Sequence, residues 1–362
     1  MSLDHILDGS IVVCAGSGGV GKTTISAAIA LEAAKRDLRT IVLTIDPAKR
    51  LASSLGLERL GNTPSRIEAV RFEAAGLAPA PLDAMMLDTK TAFDELVMTY
   101  AKDERKARTI LNNRFYQAIS GALSGTNEYM AMEKLYELHA KGDYDLIVID
   151  TPPTRNALDF LEAPTRVTSF LEGRVLKYFL LPAIGGGKGI FKAFNVAAVS
   201  FLRIVKRIVG IQVLEDTAEF FQNFDGMYDG FKQRAQDVFD LLRQPESHFI
   251  VVTTPNEDAV AEAEFFASTL NSYELNLGGV VVNRVHPRFE INEPEKIAEV
   301  FPKLAEVAKG FERVATREDA SLQRISSEIS SKIPFMNKEV TDLEALNDVA
   351  SWLFPDDSAT TL

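Results

Sequence analysis

Gly16-Ser17-Gly18-Gly19-Val20-Gly21-Lys22-Thr23-Thr24 is the stretch that decides the fold of this chain. In front of it lies Ser10-Ile11-Val12-Val13-Cys14-Ala15, a short apolar run of the kind buried on both faces of a parallel sheet. Behind it an Ala-, Ile- and Leu-rich helix is expected from about Lys22 to Lys35. Strand, glycine-rich turn and helix, with Gly-x4-Gly-Lys-Thr at the junction, is the pattern of a phosphate-binding loop. The residues at Gly18, Gly19, Val20 and Gly21 let successive backbone N–H groups face one phosphate chain. Lys22 places a point charge on the β- and γ-phosphates, and the Thr23 hydroxyl is a ligand for Mg²⁺. The helix that starts there, through Thr24, turns its positive end toward the anion.

Outward from the loop, further strands are expected at Thr40–Ile45, Tyr144–Ile149, Phe249–Thr253, Gly279–Val282 and Ser331–Pro334. An edge strand is expected near Ile67–Phe72. Helices are expected at Glu257–Leu270, Glu293–Val307 and Thr341–Leu353. Strands alternating with helices specify an α/β fold: a mostly parallel, doubly wound sheet with helices on both faces. The alternation breaks at about 82–141 and 156–242, where only helices are read. Both breaks follow a strand that ends on aspartate. Ligands of open α/β sheets lie outside the carboxyl ends of the strands, so two insertions there would form a helical subdomain above the phosphate site. Residues 1–354 are accordingly one P-loop domain carrying that subdomain, and 355–362 reads as a disordered tail.

The chain has 362 residues and a net charge of −12, which argues against nucleic acid as a partner. Its one cysteine, Cys14, permits no internal disulfide and no thiolate cluster. The four histidines show no metal-ligand spacing. No signal peptide and no apolar run of roughly 18–20 residues is read, so the expected compartment is the cytoplasm.

Two aspartates each end an apolar strand. Ile147-Val148-Ile149-Asp150 has the form of a Walker B strand, whose carboxylate holds Mg²⁺ directly or through a water. Asp46, in Asp46-Pro47-Ala48, either caps a following helix or orients the attacking water, and the two roles are compatible.

Taken in order, Gly-x-Gly-Gly-Val-Gly-Lys-Thr-Thr, Asp46-Pro47-Ala48, Asp150-Thr151-Pro152-Pro153-Thr154 and Asn283-Arg284-Val285 resemble the anion-transporting ATPase-like family, in its bacterial branch. That family includes the ArsA arsenite-pump ATPase and the ATPases that deliver tail-anchored membrane proteins. The resemblance runs from about Ile11 to Trp352. It implies an ATP- and Mg²⁺-dependent hydrolase that works as a dimer. Asp46 and Lys22 are then catalytic, with Asp46 activating water in a first switch loop that includes Pro47. Asp150 to Thr154, with Thr151, Pro152 and the following Arg155, form a second switch that reports the γ-phosphate to the helical lobe. Asn283 falls against the adenine ring, with Pro334-Phe335-Met336 beside it. Guanine-specific relatives carry Asn/Thr-Lys-x-Asp, and Asn283-Arg284-Val285-His286 lacks the Asp, which favours ATP.

Two departures qualify the resemblance. Many members, with their MinD and ParA cousins, have a lysine at the second loop position that reaches the partner's phosphates. Here that position is Ser17, neutral and short. Either Lys49, Arg50 or Arg155 supplies the charge in a homodimer, or a paralogue supplies it in a heterodimer. Second, one core cysteine cannot make a metalloid site, so no arsenite binding is expected.

Residues 173–214 carry seven Lys/Arg and no Asp or Glu, among apolar residues that include Phe179, Leu180, Phe191, Phe194 and Phe201. Such a stretch is either a buried lobe beside an acidic neighbour or a groove for a hydrophobic protein segment or membrane-associated partner. Met130 and Met132 present the same choice between core and adaptable surface. The function expected is an ATPase whose cycle rearranges dimer and lobe around a hydrophobic client, in the cytoplasm or peripheral at a membrane. The alternatives are an anion-transport ATPase subunit and a MinD/ParA-like positioning ATPase.

Overall fold

The structure is a computed structural model that describes residues 3–45, 50–120, 126–152, 216–217, 219–220, 223, 227–288 and 299–355. The chain divides into two compact units. One comprises Met1–Leu87, Leu135–Phe160 and Asp240–Leu362; the other comprises Asp88–Lys134 and Leu161–Phe239.

The first unit is built on eight strands: β1 (Ile11–Ala15), β2 (Thr40–Thr44), β3 (Ser65–Arg66), β4 (Leu82–Met86), β5 (Leu146–Asp150), β6 (Ser247–Thr253), β7 (Leu277–Val285) and β8 (Ile329–Pro334). They form one sheet in the order β3-β4-β2-β5-β1-β6-β7-β8. All neighbours are parallel except the two-residue edge strand β3, which runs antiparallel to β4. β1, β2, β5 and β6 are buried along their whole length, because helices cover both faces.

On one face lie α1 (Lys22–Lys35) and α11 (Leu343–Leu353). Ile25, Ile29, Leu346 and Val349 from these helices pack with Val12, Val148, Ile250 and Val281 from the sheet. The alanines of α1 let it approach both neighbours closely; eleven of its fourteen residues are buried. Residues one step along each strand point to the other face. There Val282 packs with Val260 of α9 (Glu257–Ser272) and Leu322 of α10 (Pro302–Leu322). Asn256 and Asp342 start α9 and α11 by accepting backbone N–H groups at Asp258 and Ala345.

The α/β sheet expected from sequence is present. Three local expectations need correction. Leu82–Met86 is not part of a helical insertion: it is β4, paired with β2 from Thr40↔Leu82 to Thr44↔Met86. Its Asp83 and paired methionines weaken the strand signature, but Asp83 Oδ2 accepts from the Tyr144 hydroxyl at 2.8 Å and its Oδ1 pairs with Arg66. Ile67–Phe72 is not an edge strand. Only Ser65–Arg66 pairs, and Ala69–Ala74 forms the short helix α3, where alanine, arginine and glutamate favour a turn closed by Gly76 at φ +69°. The helix expected to stop at Val307 starts at Pro302 and runs to Leu322; proline fits its first turn and cannot continue an earlier one. Residues 293–298 of that expectation, and the tail 356–362, lie outside the described residues.

The second unit is helical where described. It contains α4 (Thr89–Tyr100), α5 (Glu104–Asn112), α6 (Arg114–Ile119) and most of α7 (Thr126–Lys141) and α8 (Tyr228–Leu242). Between α1 and α3 in the first unit, α2 spans Arg50–Ser54. Aromatic rings fill the second unit's centre: Phe93 meets Tyr116 and Phe231, and Tyr129 stacks on Phe231. Arg234 pairs with Glu133 at 3.0 Å and donates to the Tyr100 hydroxyl at 2.8 Å. Met130 and Met132 are buried, which settles them as core. No helix among the described residues is long and apolar enough to cross a membrane.

Truncating a fully buried side chain of α1 leaves a cavity between two packed layers. Ile29→Ala is therefore expected to cost about 2–5 kcal/mol in a urea titration, while the exposed Lys303→Ala stays within about 0.5 kcal/mol.

Candidate functional site

Parallel register brings the carboxyl ends of β1, β2 and β5 together, with Cys14 and Thr44 both opposite Asp150. The loop between β1 and α1 lies over these ends. At Gly16 (φ +151°) a Cβ would strike the Val252 carbonyl oxygen of β6. At Gly21 (φ +100°) it would strike the Asn283 side-chain amide. These two glycines thus let the loop fold back over the sheet and begin α1. The Lys22 ammonium donates to the carbonyls of Gly16 and Ser17 at 2.8 and 2.9 Å, which holds it under the loop.

Asp150 is fully buried, and its Oδ2 accepts from the Thr23 hydroxyl at 2.7 Å and the Thr44 hydroxyl at 2.8 Å. One carboxylate thereby joins α1, β2 and β5. Next in the chain, the Thr151 hydroxyl donates to the Cys14 carbonyl at 2.8 Å, fastening the start of the following loop to β1. Thr44 was not singled out from sequence; as a strand-end threonine it carries no local signal until strand order is known.

A cleft of about 1020 Å³ opens beside this cluster. Gly19, Gly21, Lys22, Thr23 and Thr24 form its floor, and Thr151, Asn283, Pro334 and Phe335 line it as well. Among the described residues, four cationic side chains (Lys22, Arg50, Arg284, Lys338) line it against one acid, Glu339. In a chain of net charge −12, this is a local field suited to a polyanion.

At the far wall, Asn283 donates from Nδ2 to the Val20 carbonyl at 2.8 Å, while its Oδ1 accepts from the Arg284 N–H at 2.9 Å. The residue expected at the base is therefore also a latch on the phosphate loop. Phe335, 53% exposed, is held by its N–H to the Val285 carbonyl at 2.9 Å. Behind it the His286 ring stacks at 5.6 Å between centroids and 13° between planes. Glu318 fixes that ring from Oε1 to Nδ1 at 2.6 Å and accepts the His286 N–H at 3.0 Å. Glu318 is 32 residues away in sequence, and nothing near it announces the contact.

The Ser17 hydroxyl donates to the carboxylate of Glu262 on α9. Ser17, Gly18, Gly19 and Val20 also border a shallow pocket of about 290 Å³ with Glu262, Asp258 and Arg284. Of the cations expected to stand in for the missing lysine, Arg50 borders the main cleft. Lys49 and Arg155 lie outside the described residues, as do Asp46, Pro47, and the lobe residues Phe179, Leu180, Phe191, Phe194 and Phe201. Pro152 follows Thr151 at the last described position of its loop.

Cys14 sits inside β1 with no exposed surface, and burial pushes its thiol up to about 12. It is a core side chain, not a source of thiolate.

Gly21→Ala meets both an unfavourable φ and the Asn283 amide. Its affinity for a nucleoside triphosphate is expected to fall at least about tenfold by titration calorimetry, and the strain, of order 1–3 kcal/mol, should also lower the thermal midpoint by a few degrees.

The model of the anion-transporting ATPase family matches residues 10–355. Over 357 residues the chain is 23% identical to the putative arsenical pump-driving ATPase 1 of Aquifex aeolicus, covering 96% of this chain and 79% of that one. Against the ATPase get3 of Pyrenophora tritici-repentis it is 24% identical over 289 residues, or 78% and 77% of the two chains. The ATPase ARSA1 of Chlamydomonas reinhardtii is 26% identical over 359 residues, 94% of this chain and 42% of that protein. With the phosphate loop, the buried Asp150 and the polyanion cleft in one site, the chain belongs to the anion-transporting ATPase family and is an ATP hydrolase.

Proposed function

We propose that the chain uses Mg²⁺-dependent ATP hydrolysis to drive a rearrangement of its helical unit, and so binds and releases a hydrophobic protein segment or a membrane-associated partner. The observation that carries this is the Thr23–Asp150–Thr44 cluster. It lies at the end of β5, from which the chain passes through Thr151 and Pro152 into the stretch that supplies the helical unit from Leu161. A change at the γ-phosphate therefore has a covalent route of few residues into that unit.

A hydroxyl and a carboxylate, both hard oxygen donors beside the phosphate loop, fit Mg²⁺, which takes one or two protein oxygens and completes its shell with phosphate and water. Thr23 and Asp150 would hold the ion, which when bound neutralises charge on the β- and γ-phosphates. Lys22 binds the same phosphates, and the N–H groups at Gly18 to Thr24 orient them. Asp46 orients or deprotonates the attacking water. Asn283 retains one N–H and one lone pair beyond its latch contacts, enough to address adenine, while Phe335 offers the base an apolar face. The working unit is a dimer in the cytoplasm, with attachment to a membrane as part of the cycle. The buried, protonated Cys14 gives no support to metalloid transport.

Thr23→Ala and Asp150→Asn are expected to lower kcat about a hundredfold or more at saturating Mg²⁺, and chelation should abolish turnover of the parent protein. Asp150→Asn keeps the volume and an acceptor for the threonines, so unaltered turnover in that variant would remove Asp150 from the metal site. For the client, Asp46→Asn is expected to trap the ATP-bound form. Turnover of the parent protein measured with hydrophobic peptide, lipid vesicles or oxyanions should rise with peptide or vesicles. Stimulation by oxyanions alone would refute the client reading.

A further inference from the structure

Arg284 is the residue with the least ordinary backbone at the site. It is not glycine, yet its φ is +60°, a conformation that persists only where its surroundings over-determine it. Here those surroundings are the Asn283 latch: the Arg284 N–H is held by Oδ1 of the side chain whose Nδ2 holds Val20. The turn carries the arginine side chain to the rim shared by the main cleft and the shallow pocket at Ser17, Gly18 and Gly19. The side chain is exposed, and among the described residues no hydrogen bond or ion pair engages the guanidinium. Ser17, by contrast, has its hydroxyl committed to Glu262. A strained position that delivers an uncommitted, always-charged fork to the open side of a phosphate loop is placed for phosphate oxygens.

We propose that Arg284 is a phosphate-binding residue, closing on the polyphosphate of bound ATP from the open side of the loop and supplying in the same chain the positive charge that Ser17 lacks. Lys22 holds the phosphates from beneath and Arg284 from outside. This rests on the ATP reading of the cleft and adds to it a residue that the loop motif does not contain. The arrangement makes phosphate affinity depend on the turn that also carries the base-side asparagine.

The φ of +60° supplies its own control. Arg284→Gly removes the guanidinium and fits the left-handed turn without strain, so the latch is preserved. Binding of ATP and of adenosine to the full chain would be measured by calorimetry at two or more salt concentrations. The expected result for Arg284→Gly is about a tenfold weaker ATP affinity, a shallower dependence of that affinity on salt, and unchanged adenosine binding. Arg284→Lys should keep the salt dependence and recover part of the affinity, since charge is retained and the fork is lost. Arg50→Ala, measured beside it, should weaken ATP less. Unchanged ATP affinity and salt dependence in Arg284→Gly would overturn the proposal, and so would an equal loss of ATP and adenosine, which marks a structural role. Failure of the parent chain to bind ATP would overturn the nucleotide reading along with it.

Discussion

The buried carboxylate of Asp150 is the constraint on which the site depends. A charge with no solvent contact is costly unless its lone pairs are met, and here two threonine hydroxyls from different elements meet one of its oxygens. Thr23 brings the first turn of α1, and Thr44 brings the end of β2. The sheet order β2-β5-β1 makes this possible, because it sets β5 between the strand that precedes the loop and the strand that follows α1. The helix start, the loop and the strand ends are thus positioned by one acceptor. Fully buried strands and the alanine-rich α1 supply the rigid layers behind it.

The features most legible in the sequence are local ones. The loop, α1 and β1 were readable because glycine spacing, strand and helix follow one another within a single βα unit. Asp150 was readable because four apolar residues lead straight into it. β4 was hidden because its Asp83 breaks the apolar run, and its partner Tyr144 lies 61 residues away. α3 is hard to tell from an edge strand in the sequence because a short run such as Ile67–Phe72 is too brief to show a helical period. Thr44, Glu262 and Glu318 share one difficulty. Each is an ordinary polar residue whose importance comes from a partner at least 32 residues distant, and only tertiary structure supplies that partner. The residues expected from sequence to act as switches, Asp46 and Arg155, lie outside the described residues.

Charge is distributed unevenly for a purpose the fold makes plain. The protein as a whole is acidic, yet the cleft gathers lysine and arginine from α1, α2, the end of β7 and the segment after β8. An acidic exterior disfavours nonspecific capture of nucleic acid, while a local basic rim still draws in a small polyanion. The stack of Phe335 on His286 adds an apolar, rigid wall at one side of the same opening.

The Asn283 latch carries a further consequence for how this site could change. If the side chain that holds the Val20 carbonyl also meets the base, as proposed, a single amide serves both ends of the ligand. A substitution made to accept another base would loosen the phosphate loop at the same moment, and Gly21, whose missing Cβ makes room for that amide, would be left beside a void. On that reading base preference and phosphate grip are coupled through one side chain.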